Sequence, residues 1–483
     1  MSNGARWSVK ISSWILFAVV ALAPLPFGST DGTAIAMWCV VLGIGSVLAP
    51  MRGLSAGQAA LIGLAFIVIA AYAVVLHEQL AEHPWFAASH PLWREAGEIL
   101  GQRLEPAVSI ARNAPLFAVG APLACMLSLI CSFLVCVDRN RARRLLWVIA
   151  WSGAAYAAYG ILSHLIDPTQ ILWRDKQAYL SFVTGTFINH NTAATYFGSC
   201  SIVWLVLLSE RIREILPRGR IVWHKAPNRL LNSTPRDIVM SFSMLFLCLA
   251  AMFMTGSRAG VVLSLLALVV AFAAYFHRDL PRRGGLIAAA LGGGALALVL
   301  LQIMGAGVSG RFDTEGLAIG GRLNTYRATL RMIADHPWFG TGQGTFAWAY
   351  PPYRSDAVSL WGVWDRAHNA PLEIASDMGL PLTALIFVAW IVVAVVLING
   401  VKTRRRDLAM PVGALAVAIL AILHSVVDFS LQIPGYAIVA FALIGAGLAQ
   451  SFGRPTPATE TKVPKSGLKE VREKAEMSVA PSV

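Results

Sequence analysis

Charge is scarce in this chain. Asp, Glu, Lys and Arg together make up 13% of its 483 residues, against about 25% in a water-soluble globular protein. Soluble domains of this total length would lack polar surface, so the scarcity points to lipid as the solvent. Cysteine is sparse too. Its six positions (39, 125, 131, 136, 200 and 248) all fall within apolar runs and form no C-x-x-C pair. That excludes a zinc ribbon or a disulfide scaffold and leaves small buried side chains. Neither an H-E-x-x-H helix nor a calcium-loop spacing is present. Histidines 77, 83, 90 and 164 are scattered without ligand spacing, so neither a metal nor a cofactor is expected. A cleavable leader is not expected either. The first apolar run, Ile11 to Phe27, meets Gly28-Ser-Thr-Asp31 and then a second apolar run, and reads as a first membrane span.

What the chain has in abundance is apolar length. Hydrophobic residues make up 57% and the mean hydropathy is +0.63. A helix crosses a bilayer core with about 20 apolar residues. Runs of that kind lie near 11–28, 33–50, 57–77, 115–137, 145–166, 191–208, 238–256, 259–277, 286–304, 373–398, 411–428 and 434–451. The expected fold is therefore all-α and polytopic, with about 12 transmembrane helices. With the N-terminus in the cytoplasm, roughly two thirds of the lysines and arginines fall in cytoplasmic segments, chiefly 138–144, 209–237, 277–283, 402–406 and the tail. The net charge of +13 is thus the signature of the positive-inside rule rather than of a nucleic-acid partner. Residues 1–452 read as one transmembrane domain. Residues 453–483, rich in Pro, Thr, Lys and Glu, read as a disordered cytoplasmic tail.

Three outer segments are long or polar: 78–114, 167–190 and 305–372, the last lying between the ninth and tenth spans. It carries Trp338, Phe339, Phe346, Trp348, Tyr350, Tyr353, Trp361 and Trp364. Such rings anchor proteins at membrane interfaces and also stack on sugar faces. The polar motifs collect on this same side. In Gly185-Thr-Phe-Ile-Asn-His-Asn191, Asn189 and Asn191 suit either a helix cap or hydrogen bonding to a headgroup or sugar. In Thr255-Gly-Ser-Arg258, an arginine at a helix start must snorkel, pair or bind an anion. Gly321-Arg322-Leu-Asn-Thr-Tyr-Arg327 is followed by Arg331, which shares a helix face with Arg327. A solvated basic face is the plain reading of that pair. Gly340, Gly342 and Gly344 follow no strand and precede no lysine, which excludes a nucleotide loop and leaves a tight turn able to approach a ligand. In Asp365-Arg-Ala-His368-Asn369, His368 is the best general-base candidate, since imidazole exchanges a proton near neutral pH; a helix cap is the plainer reading. Asp428, in the stretch from His424 to Gln432, is placed to pair with an arginine or orient the base.

Taken in order, GTFINHN (185–191), TGSR (255–258), GRLNTYRATLRMIADHPWFGTGQGTF (321–346), HN (368–369), Glu373 to Gly379 and HSVVDFSLQIPG (424–435) resemble the O-antigen ligase and polymerase family of bacterial inner membranes. The resemblance spans roughly residues 180–435. It implies a fold similar to GT-C glycosyltransferases and an inverting, metal-independent transfer of a glycan from undecaprenyl diphosphate at the periplasmic face. The acceptor would be a hydroxyl of the lipid A core in a ligase, or of another lipid-linked repeat in a polymerase. The family's diphosphate-binding arginines would correspond to Arg258 and Arg322, and its periplasmic-loop histidine to His368. Asn189, Asn191, Arg327, Asn369 and Asp428 would bind substrate or support the site. His190 stands where the family more often has arginine.

Two other classes fit the composition. A twelve-span transporter would show two similar halves and charges at the membrane midplane, whereas no repeat is visible and the charged motifs sit at the rim. A non-catalytic scaffold would leave Arg258, Arg322 and His368 apart.

Overall fold

A computed structural model describes residues 3–51, 53–216, 236–279, 312–356, 358, 364–404 and 407–452. The ninth apolar run (286–304), Trp361, most of the basic stretch 209–237 and the tail 453–483 lie outside the described residues. Within them the chain is overwhelmingly helical: α1 (Asn3–Leu22), α2 (Gly32–Leu48), α3 (Ala56–Leu80), α4 (Leu92–Leu100), α5 (Ala114–Val135), α6 (Arg139–Ile166), α7 (His190–Ile215), α8 (Arg236–Met254), α9 (Arg258–Tyr275), α10 (Phe312–Asp335), α11 (Ala370–Met378), α12 (Leu380–Thr403), α13 (Ala409–Ser425) and α14 (Pro434–Ser451). One two-stranded hairpin, β1 (Gln170–Ile171) with β2 (Arg174–Asp175), is the exception. Among the described residues, eight helices are long and apolar enough to cross a membrane: α3, α5, α6, α7, α8, α9, α12 and α14. Helices α2 and α13 are apolar but shorter. The protein is a polytopic α-helical membrane protein.

Helices α7 and α14 are buried almost throughout and form the axis of the bundle. Small residues let neighbours approach them closely. A Cβ on Gly445 would strike the Leu129 carbonyl, and one on Gly447 would strike Ala414. Helices α3 and α12 are apolar yet largely exposed, as helices facing lipid must be. All six cysteines are free thiols, five buried and Cys39 half-buried.

The two ends of the bundle differ chemically. One end is tied by ion pairs: Arg139 to Asp407 (2.8 Å), Arg143 to Glu210 (3.1 Å) and Arg213 to Asp279 (3.2 Å). The other end gathers the links after α1, α6, α8 and α13. There Thr186 donates to the Pro24 carbonyl (2.6 Å) and the Val183 N–H to the Met254 carbonyl (3.0 Å).

Three expectations change in detail. The first helix stops at Leu22 rather than near residue 28, because Pro24 and Pro26 cannot continue it. The expected span 373–398 is broken at Gly379, whose φ of +85° ends α11 before α12 begins. Segment 305–372, expected as a loop, contains the 24-residue helix α10. Its glycine turn contacts protein rather than open space. The N–H groups of Thr341 and Gly342 donate to the carbonyls of Ser376 (2.9 Å) and Asp377 (3.1 Å), and the Gln343 N–H donates to Gln79 (2.9 Å). The Gly344 N–H donates to the Asp377 carboxylate (2.8 Å). Gly340, at φ +70°, lies against the Asp377 backbone, where a Cβ could not fit. The turn is a clamp joining α3 to α11.

The segment between α3 and α5 folds onto this clamp. The Ile110 N–H donates to the Thr341 carbonyl (2.9 Å), and His90 stacks on His336 with their Nε2 atoms 3.1 Å apart. The Leu92 N–H donates to His90 Nδ1 (3.2 Å), so His90 carries its proton on Nε2 and donates it to His336 Nε2. Burial, then the neighbouring His336, holds the His90 imidazole down at about 4. Burial also lowers His336. Both folded-state values lie below the ordinary value near 6.5. The unfolded or undocked segment therefore binds more protons between roughly pH 6.5 and 4, and docking is stable above that window and weakens as pH falls through it. Hydrogen exchange across residues 81–113 should speed up from pH 7 to pH 5 relative to the membrane helices, and His90→Phe should flatten that difference.

Candidate functional site

Residues 364–369 and 426–433 meet at the link-rich end of the bundle. His368 occupies the left-handed region (φ +51°), which is costly for a residue with a Cβ and persists only when its surroundings hold it. Here they do. Its Nδ1 lies 3.3 Å from Asp428 Oδ1, its carbonyl accepts from the Tyr326 hydroxyl (2.9 Å), and its ring makes edge contacts with Trp364 and Phe429. With Nδ1–H toward the carboxylate, Nε2 is left as the basic nitrogen.

Asp428 is 2% exposed. Burial pushes its carboxyl up, yet the His368 hydrogen bond, the nearby His424 and the Phe429 N–H together hold it below the ordinary carboxylate range. It is therefore the anionic partner of His368. Upstream, Arg366 pairs with the buried Glu373 (3.0 Å) and reaches Gln432 (3.3 Å), while the other Glu373 oxygen accepts from the Ala367 N–H (2.8 Å). Asn369 caps α11 by accepting from the Leu372 N–H (3.0 Å) and donates to the Val426 carbonyl (2.8 Å). Both ends of its amide are engaged within the protein.

Arg322 lies on α10, one turn before Tyr326. It acts electrostatically on Tyr179 and Tyr326, as Asp428 does. The Tyr179 hydroxyl is pushed up by burial and then by Asp428 and Asp365, with Arg322 opposing. His368, Asp428 and Arg322 thus share one neighbourhood. Tyr179 also stacks on His190 (ring centroids 4.2 Å apart), and His190 Nδ1 bonds the Thr255 carbonyl (2.8 Å). Through these contacts the 185–191 and 255–258 motifs join the same face. Between them lies a cavity of about 510 Å³ lined by residues 177–182, His190 and Gly256. Arg258 is exposed in the first turn of α9, beyond the Ser257 cap, whose hydroxyl accepts from the Gly260 N–H (3.2 Å).

Other expected residues have local roles. Asn189 caps α7, accepting from the N–H groups of Asn191 (2.7 Å) and Thr192 (3.2 Å). Asn191 lies in that first turn, and its carbonyl accepts from Thr195 (2.9 Å). Arg327 is exposed and bonds Asn324 (3.1 Å), while Arg331 donates to the Tyr353 carbonyl (2.8 Å). The pair is a solvated face, with one member stapling α10 to the turn after it. Sequence reasoning missed Tyr326, Tyr179 and the Arg366–Glu373 pair. The last left a signal: two opposite charges seven residues apart in a chain poor in charge.

Tyr326→Phe removes one hydrogen bond from a strained residue. It should cost about 1 kcal/mol of stability in detergent and accelerate hydrogen exchange selectively across residues 364–369.

A search of curated proteins finds no match to the chain. Residues 243–387 match the family model described as O-antigen ligase. The matched stretch holds Arg258, Arg322, Arg327, His368 and Asn369; Asn189, Asn191 and Asp428 lie outside it. The segment that supplies Arg258, Arg322 and His368 is therefore similar to the O-antigen ligase family.

Proposed function

We propose that the protein is an O-antigen ligase-like glycosyltransferase of the bacterial inner membrane. It would move a glycan from undecaprenyl diphosphate to an acceptor hydroxyl at the periplasmic face. The observation that carries this reading is the His368–Asp428 pair, with Arg322 in electrostatic reach of the same groups, at the end of the bundle opposite the ion-paired basic end. The basic end would face the cytoplasm, as the positive-inside rule requires.

The chemistry follows from the side chains. The acceptor oxygen attacks the anomeric carbon from the face opposite the diphosphate, inverting it. The new C–O bond forms as the sugar–phosphate C–O bond breaks, and the diphosphate leaves with the electron pair. The hydroxyl proton passes to His368 Nε2, and Asp428 stabilises the imidazolium that results. Arg322 and Arg258 neutralise the charge growing on the diphosphate, a role suited to the planar guanidinium fork. Asn369 and Asn189 support the site by fixing helix starts. The cavity beside Tyr179 and His190 offers an aromatic floor for a sugar.

The test uses purified protein, donor lipid extracted from the host's membranes, and either lipid A core or a second lipid-linked repeat as acceptor. His368→Ala should lower turnover by about 10²–10⁴-fold. Arg322→Ala should lose transfer, and Arg322→Lys should restore only part of it. Wild-type turnover by His368→Ala would remove the general-base role. The product distinguishes the readings: a capped lipid A core marks a ligase, and a ladder of longer lipid-linked chains marks a polymerase.

A further inference from the structure

One buried titratable group near the site has no part in the mechanism above. His424 is 1% exposed at the end of α13, and its Nε2 has no hydrogen-bond partner in the protein. The second oxygen of Asp428, Oδ2, is buried and without a partner as well. The two residues stand one turn apart: the Asp428 N–H donates to the His424 carbonyl (2.9 Å), as does the Val427 N–H (3.1 Å). They also interact electrostatically. A buried carboxylate oxygen lacking a donor is costly, and so is a buried imidazole N–H lacking an acceptor. Each group is what the other needs.

The opposite face of His424 fixes which nitrogen carries the proton. Its Nδ1 lies 3.0 Å from the Ser430 hydroxyl. Ser430 in turn neighbours Thr195 Oγ1, whose own proton goes to the Asn191 carbonyl. The single Ser430 proton thus has two acceptors within reach, and it goes to Nδ1 at 3.0 Å rather than to Thr195 Oγ1 at 3.4 Å, so the neutral ring holds its own proton on Nε2.

We infer that His424 is a positioning residue for the transfer reaction, its Nε2–H serving Asp428 Oδ2 through one water, so that a single buried carboxylate is shared by two histidines. This rests on the proposed general-base role of His368. The shared carboxylate stays ionised and cannot rotate, which keeps its other oxygen on His368 Nδ1. The charged and titratable groups around this array are Asp428 itself, His368 and Asp365 from the 364–369 segment, Arg322 and Tyr326 from α10, and Tyr179 from the 167–189 link.

The test measures transfer from extracted donor lipid across pH 5 to 9. His424→Leu removes the donor. The Asp428 carboxylate, no longer supported at Oδ2, then takes up a proton more readily, so the acid limb of the turnover profile moves to higher pH. Turnover at neutral pH falls at least tenfold while KM for the donor lipid stays within twofold. His424→Gln, whose amide can reach the position of Nε2, restores the acid limb toward wild type. Ser430→Ala, which frees the tautomer without opening the core, shifts the limb in the same direction by a smaller amount and keeps the inference testable should His424→Leu fail to fold. An equal loss at every pH in His424→Leu, with no rescue by His424→Gln, would reduce His424 to packing. An unmoved acid limb in Ser430→Ala together with His424→Gln no better than His424→Leu would overturn the inference too. His368→Ala, run in parallel, separates this failure from that of the base: wild-type turnover there would defeat the general-base reading itself.

Discussion

A carboxylate can be buried on the link between two membrane helices only if paired and hydrogen-bonded. Asp428 meets that demand with groups drawn from different stretches of the chain: the His368 ring from the segment before α11 and the Phe429 N–H from its own turn. Asn369, next to His368, ties the same two segments through the Val426 carbonyl. Arg366 repeats the tie through Gln432. The need to accommodate one negative charge thus fastens the loop carrying the histidine to the helix pair α13 and α14, both buried along most of their length.

Lipid makes some features readable without a structure and hides others. The apolar helices were legible because a chain in hydrocarbon must satisfy its backbone within each helix and cover it with apolar side chains. The motifs stood out because charge is so scarce elsewhere. Legibility failed where the answer lay in tertiary contact. Nothing about Tyr326 distinguishes it from nine other tyrosines until the left-handed turn at His368 brings a carbonyl within reach of its hydroxyl. The glycines at 340, 342 and 344 were legible as a tight turn, but not as a turn gripping Asp377 and Gln79, residues far away in sequence. The helical spacing of Arg327 and Arg331 was legible but the 24-residue extent of α10 was not, because its polar and apolar residues alternate around a cylinder rather than forming a run. Asn189 and Asn369 followed the plainest reading, helix capping, since a buried helix start needs an acceptor for its free N–H groups.

The division of charge between the two ends bears on function as well as on orientation. At the ion-paired end, Arg139, Arg143 and Arg213 each have a carboxylate partner. At the site end, Arg366 is matched to Glu373 and the Asp428 carboxylate is turned to His368. Glu373 and Asp428 are therefore engaged with other groups, and Asp365 is open to solvent. An anion approaching Arg322 meets a guanidinium whose neighbouring negative charge is already spoken for, which suits the proposed role of this residue toward a diphosphate.

The backbone at His368 shows how much of this arrangement exists before any substrate arrives. A left-handed non-glycine residue relaxes unless several contacts agree in holding it. Its ring is bounded by Trp364 and Phe429, its Nδ1 by Asp428 and its carbonyl by Tyr326. An unstrained residue at this position would let the chain run straight into α11, with its side chain free to choose a rotamer. The strained one has its direction chosen for it. For the proposed general base such a setting is an advantage, because the cost of ordering it has been met in folding rather than at the moment of proton transfer. The same reasoning explains why the histidine sits on a short segment tied at both sides, by Glu373 and by Val426, rather than within a helix, whose regular φ and ψ would have aimed the ring along its surface.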